Sequence, residues 1–171
     1  KTNEEIILLK ARINMALQLY PEAITELKSQ LEKNPENISL IQELASCYYL
    51  SSQYDEFDSF FESILEKAEN SDLLCSLKAH VCTLQNNFDQ ALNWYEKAFA
   101  IKSEEGTHLL NIASTLKMQN KNKESVEKLL QACQLFLDKK NYQLFIDTTF
   151  ELEKEKLSAK QKMELHSLKG K

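Results

Sequence analysis

Between Asn86 and Glu105 the apolar residues fall at Phe88, Ala91, Leu92, Tyr95, Ala98 and Phe99, the i, i+3, i+4, i+7 spacing of one helix face. On that stripe small Ala91 and Ala98 alternate with large Phe88, Tyr95 and Phe99. A helix lying alone on a surface gains nothing from this order. Two helices that cross closely do, because a small residue lets the axes approach and a large one fills the neighbouring hole.

The same alternation recurs along the chain. Ala11, Ala45, Ala79 and Ala113 are spaced 34 residues apart, which divides the sequence into 4–37, 38–71, 72–105 and 106–139. Tyr20, Tyr54 and Phe88 share a column that Asn122 breaks; Ala23, Phe57, Ala91 and Ser125 share the next. Leu27, Phe61, Tyr95 and Leu129 form a third, and Ile64, Ala98 and Ala132 a fourth, with Gln30 the exception. Each unit reads as two helices, A and B. In the second unit they lie near 38–51 and 54–68, separated by Ser51-Ser52-Gln53. Start and stop signals mark the joints: Asn34-Pro35-Glu36-Asn37, Asn70-Ser71-Asp72 and Ser103-Glu104-Glu105-Gly106. Pro21 falls in the first turn of a helix, where its missing N–H costs nothing.

These columns resemble the tetratricopeptide repeat family. The family's small residue early in helix A is Ala in all four units, and its small–large–small series on helix B is Ala91, Tyr95, Ala98 in the third. Its terminal proline occurs once, as Pro35. The resemblance covers 4–139 and implies an all-α fold, a right-handed superhelix of helix–turn–helix repeats. After 139 the pattern blurs into a stripe of Tyr142, Phe145, Ile146, Thr149 and Phe150, followed by a last helix from Ser158 to about 169 with Met163 and Leu168 as its buried residues. Residues 140–171 therefore read as a degenerate fifth repeat that caps the array, for about ten helices in all. Lys10 and Lys78 stand in the column of Leu44 and Ile112. A rotation that turns Leu9 and Leu77 inward would accommodate them; snorkelling of the lysine stems past the core is the alternative.

Composition narrows the function. Two glycines and two prolines in 171 residues fit helices better than a sheet with tight turns. The formal charge of −5 argues against a nucleic-acid footprint. Lys154 to Lys171 holds six lysines against two glutamates and reads as a solvated final helix, leaving −9 on the preceding residues. No apolar run approaches a membrane span. Cys47, Cys75, Cys82 and Cys133 form no CxxC pair and read as buried, reduced thiols, which places the protein in the cytoplasm.

No catalytic constellation emerges, so no enzyme activity, cofactor or metal is expected. His80, His108 and His166 fall on separate helices, and glycines for a phosphate loop are lacking. Glu4-Glu5, Glu104-Glu105 and Glu151 with Glu153 read as solvated surface, and the sequon Asn37-Ile38-Ser39 as chance. Trp94 reads as a widening of the helix-B core contact, with a partly exposed anchor as the alternative.

The family resemblance implies a different kind of site. In that family the A helices line a concave groove that takes peptides or helices. Carried over by column, the lining is Glu5, Leu8, Leu9, Arg12 and Met15; then Ser39, Gln42, Glu43, Ser46 and Tyr49. The third unit contributes Leu73, Ser76, Leu77, His80 and Thr83, and the fourth Thr107, Leu110, Asn111, Ser114 and Lys117. The clamp that some members use for acidic chaperone tails needs cations and an amide where this chain has Leu8, Glu43 and Leu77; only Arg12 and Asn111 fit it. A chaperone C-terminal tail is therefore disfavoured. The mixed lining instead suits an apolar or amphipathic segment of a protein partner, although rotated helices would make several of these leucines core. The expectation is a non-catalytic adaptor or scaffold. One alternative is a structural piece of a larger helical-repeat assembly or of a homo- or hetero-oligomer, suggested by the uncapped run Ile6-Ile7-Leu8-Leu9; another is a regulatory domain of an enzyme beyond this sequence.

Overall fold

The computed structural model describes residues 3–170, with side chains from Glu5 onward, so Lys1, Thr2 and Lys171 of the basic tail lie outside the described residues. Eleven helices and no strand occur among the described residues. In order they are α1 (Asn3–Ala16), α2 (Tyr20–Lys33), α3 (Ile38–Leu50), α4 (Tyr54–Ser63), α5 (Leu65–Ala68), α6 (Asp72–Leu84), α7 (Phe88–Ile101), α8 (Gly106–Met118), α9 (Asn122–Asp138), α10 (Tyr142–Glu153) and α11 (Ala159–Lys169). The eleventh arises because the helix expected over 54–68 breaks at Ile64, whose φ of −119° and ψ of 17° leave the helical region. Two compact bodies form, residues 1–81 and 82–171, and their boundary falls inside α6.

Each turn inside a repeat is built alike. Gln18, Ser52, Asn86 and Asn120, again 34 residues apart, adopt φ of 61°, 58°, 61° and 61°. Beside each, the next residue's N–H reaches back five residues to a helical carbonyl, as from Leu19 to Asn14 and from Gln53 to Tyr48. This is a Schellman closure, which satisfies the last carbonyls of the A helix and reverses the chain. Joints between repeats use different signals. Asn37 caps α3 by accepting from the Leu40 N–H at 3.2 Å, whereas Pro21, inside the first repeat, sits in the first turn of α2.

In the N-terminal body α1 packs on α2, α2 on α3 and α3 on α4. Ala11, Ala23, Leu27, Ala45, Phe57 and Phe61 are buried, as their columns require. The Phe57 and Phe61 rings stack 5.8 Å apart, filling space beside the small residues. In the C-terminal body α7 packs on α8 and α8 on α9, with Ala91, Tyr95, Ala98, Ala113 and Ala132 buried. The Ser125 hydroxyl, in a column where the other repeats have Ala or Phe, donates to the Ala113 carbonyl at 2.8 Å. Trp94 is half-buried, with Lys97 Nζ 4.2 Å from its ring centre.

The lysine column divides. No rotation turns Leu9 inward: it is 48% exposed, while Lys10 also stays in solvent and pairs with Glu26 at 2.7 Å. Leu77 is buried, yet Lys78 is buried with it and reaches Asp58 at 2.8 Å. The stem of Lys78 passes the core while its ammonium finds a carboxylate, which is the snorkelling alternative.

The C-terminal segment corrects the expected packing in two places. In α10 the core side is Thr148, Thr149 and Leu152, whereas Tyr142, Ile146 and Phe150 are 57%, 57% and 60% exposed. In α11 Leu165 is buried with Leu168, and Met163 is exposed. Both follow from one cluster, in which Val126, Leu130 and Cys133 of α9 receive Leu152 from one side and Leu165 and Leu168 from the other. Both helices pack on α9, so α10 must turn its Leu152 side inward. Lys140 (φ 57°) closes the α9–α10 joint with the tight turn seen elsewhere inside repeats. The start of α11 is fixed by a capping box between Ser158 and Gln161.

Candidate functional site

The groove residues expected from the columns lie on α1, α3 and α6 in the N-terminal body and on α8 in the C-terminal body. In the N-terminal body neighbouring A helices are tied together through these side chains. Arg12 Nε donates to the Glu43 carboxylate at 2.5 Å, joining α1 to α3. Gln42 donates to Ser71 Oγ at 3.0 Å, joining α3 to the residue before α6, and Ser46 donates back to the Gln42 carbonyl within its helix. The Tyr49 and His80 rings lie 5.9 Å apart, a second tie between α3 and α6.

Burial separates ligand-accessible positions from architecture. Leu9 and Leu73 are exposed, Leu8 and Met15 are half-buried, and Leu77 and Ser76 are buried. Leu77 is thus a core residue, as the rotated-helix alternative has it for that position. In the C-terminal body Leu110 and Asn111 are half-buried and Ser114 is exposed. Lys117 of α8 donates to Glu155 at 2.5 Å, tying α8 to the chain after α10. Burial pushes the His80 pKa below its ordinary 6.5, which keeps that ring neutral beside Tyr49. In the N-terminal body this surface combines oriented polar groups with the accessible Leu9 and Leu73.

Two exposed apolar stripes escaped the column argument. On α1, Ile6, Ile13 and Leu17 share one face at 53%, 50% and 63% exposure. On α10, Tyr142, Ile146 and Phe150 share another, with Lys154 Nζ 4.3 Å from the Phe150 ring centre. The signal for α10 was present as a competing stripe, Phe145, Thr148 and Leu152, of similar length and opposite bearing. For α1 the signal was the uncapped apolar run from Ile6, while Ile6 and Ile13 match columns that are buried in the other repeats.

Among the described residues no three His, Cys, Asp or Glu converge as a metal-binding group would require, and no helix is long and apolar enough to cross a membrane. Burial raises the Cys47 and Cys133 thiols to about 12, far from the range of a nucleophile.

Comparison with known proteins agrees with this architecture. Residues 74–109 match the tetratricopeptide repeat family model. A TPR repeat-containing protein of Treponema pallidum (strain Nichols) is 25% identical over 135 residues, which are 79% of this chain and 17% of that protein. The chain therefore spans less than a fifth of that relative's length. MamA from Desulfovibrio magneticus RS-1 superposes with a TM-score of 0.67 at 14% identity, over 77% of this chain and 74% of that one. A second MamA structure, from MSR-1, gives 0.64 at 16% identity over 82% and 79%, and a third gives 0.63 at 11% over 94% and 96%. At these identities the likeness is one of fold. The 34-residue columns, the helix pairs that bury them and these matches make the chain an all-helical repeat protein similar to the tetratricopeptide repeat family, whose model matches its residues 74–109.

Proposed function

We propose that the chain is a non-catalytic interaction module that holds an apolar or amphipathic segment of a protein partner along its A helices. The fold in general supports a protein-interaction scaffold. The observation that carries the finer reading is the strip on α1, α3 and α6. There exposed Leu9 and Leu73 accompany side chains already fixed by the Arg12–Glu43, Gln42–Ser71 and Tyr49–His80 contacts. Apolar side chains in water gain about 25 cal/mol per Å² when a partner covers them, and polar groups held in place lose little entropy on orienting that partner.

The mixed lining favours a helix or extended segment with apolar anchors over a highly charged tail, and burial of Leu77 leaves Leu73, Leu9 and Tyr49 as the contacts to test. The test is calorimetry of amphipathic peptides selected from a displayed library against the intact chain. Leu73→Ala and Tyr49→Ala should each weaken binding by about 1–3 kcal/mol in a protein whose helix content is unchanged. Peptides that bind both variants as tightly as the parent chain would remove the A-helix reading.

A further inference from the structure

Two of the three apolar residues on the outer face of α1 have buried counterparts deeper in the chain. Ile6 shares its column with Leu40, Leu74 and His108, and Ile13 shares its column with Cys47, Val81 and Thr115. Those six counterparts are 0–6% exposed, whereas Ile6 is 53% and Ile13 50% exposed. The difference lies in what precedes each A helix. Helix α2 packs on α3 and α7 packs on α8, while Asp58 of α4 reaches Lys78 of α6. Ala11, which faces α1's own B helix, is fully buried like the other alanines of its column. The side of α1 that a preceding helix B would cover is left in water.

We propose that this face of α1 is a stacking interface for the second helix of a further helix–turn–helix repeat, lying upstream in the same polypeptide. The existing interfaces specify that helix. Helices α2 and α7 carry apolar residues at i, i+3 and i+7: Ile24, Leu27, Leu31 and Leu92, Tyr95, Phe99. In the unit before α6 the first of these positions is Asp58, followed by Phe61 and Leu65, and its carboxylate meets Lys78. Lys10 occupies the Lys78 column, but it already pairs with Glu26 of α2 and so places no demand on that first position. The helix that fits is therefore amphipathic, with apolar residues three and seven places on from a first position, as in α2, α4–α5 and α7. End-to-end stacking of the last helix of a second copy suits the face less well. That helix, α11, buries Leu165 and Leu168 and presents an outer surface rich in Lys160, Lys162 and Glu164.

The test is hydrogen exchange of the α1 amides in the 171-residue chain and in the polypeptide carrying its natural upstream residues. The longer protein should slow α1 exchange by about tenfold or more. Ile13→Glu should lower its melting temperature by several degrees while moving that of the 171-residue chain by about a degree or less. Equal α1 protection in both proteins would overturn the proposal, as would an upstream sequence lacking the apolar pattern. Concentration-dependent dimerisation of the 171-residue chain that Ile13→Glu abolishes would also overturn it, and would assign the face to a second copy. None of these readouts depends on Leu73 or Tyr49, so peptide binding along the A helices can fail or hold independently.

Discussion

Lys78 Nζ lies 2.8 Å from the Asp58 carboxylate and 5.3 Å from the centre of the Phe61 ring, in a column that neighbouring repeats fill with Leu44 and Ile112. The lysine is nearly buried, whereas the aspartate keeps about a third of its side chain in water. Removing the acid leaves a charge in the core; removing the base leaves a carboxylate that solvent reaches.

The two ends of this pair are thus expected to respond unequally. Asp58→Ala should cost about 2–3 kcal/mol, below the full cost of breaking a buried pair because Asp58 is partly solvated. Lys78→Leu should be neutral or stabilising, and it should abolish most of the cost of Asp58→Ala in the double variant. Urea unfolding of the four proteins checks this, and equal losses from the two single variants would contradict it.

Gly106 opens α8 because Phe136 of α9 leaves no room for a side chain. A Cβ there would lie 2.7 Å from the phenyl Cε1, and Phe136 is buried. Gly106→Ala should destabilise by about 1–3 kcal/mol, and Phe136→Leu in the same chain should recover part of the loss. Thermal melts would show a simple additive loss if the contact were unimportant.

Protonation of His80 should drive unfolding. Its folded pKa lies below the ordinary 6.5 because burial disfavours the charged ring. As pH falls below 6.5 the unfolded chain takes up the proton first, so stability declines and continues to decline down to the folded pKa. Above 6.5 the ring is neutral in both states and contributes no slope. Glu26 and Glu151, lowered below 4.5 by hydrogen bonds from Lys10 and Lys154, extend the loss only into more acidic solution. Melting temperatures measured from pH 7.5 to 5 should fall in the parent protein and fall less in His80→Gln.

The four thiols should be inert in the native state. All are buried, and Cys47 and Cys133 are raised to about 12 by burial. A thiol reagent at pH 8 should label them only as fast as the chain opens, and urea should make all four react promptly. Rapid labelling of Cys47 or Cys133 without denaturant would contradict their placement.

The repeats were legible because steric demands recur at fixed spacing. Ala11, Ala45, Ala79 and Ala113 are all buried where two helices approach. Ser125 broke the apolar pattern and was still correctly aligned, since its hydroxyl has a carbonyl to bond inside the core. Lys78 was harder, because its partner Asp58 sits on another helix and periodicity contains no information about such pairs. Ile64 gave no breaker signal, yet the helix parts there. The face of α10 was misread because a second stripe, Phe145, Thr148 and Leu152, is of similar length, and the cluster around Leu152, Leu165 and Leu168 decides for it. Among candidate contacts, sequence columns named the helix positions, while exposure distinguished Leu73 from Leu77 only in three dimensions.

The A-helix account is tested most directly by chemical-shift mapping of the intact chain with one selected amphipathic peptide. It expects the largest perturbations on α1, α3 and α6 around Leu9, Tyr49, Leu73 and His80, with α2, α4 and α7 little changed. Perturbations confined to α2, α4 and α7, with Leu73 and Tyr49 unmoved, would contradict it.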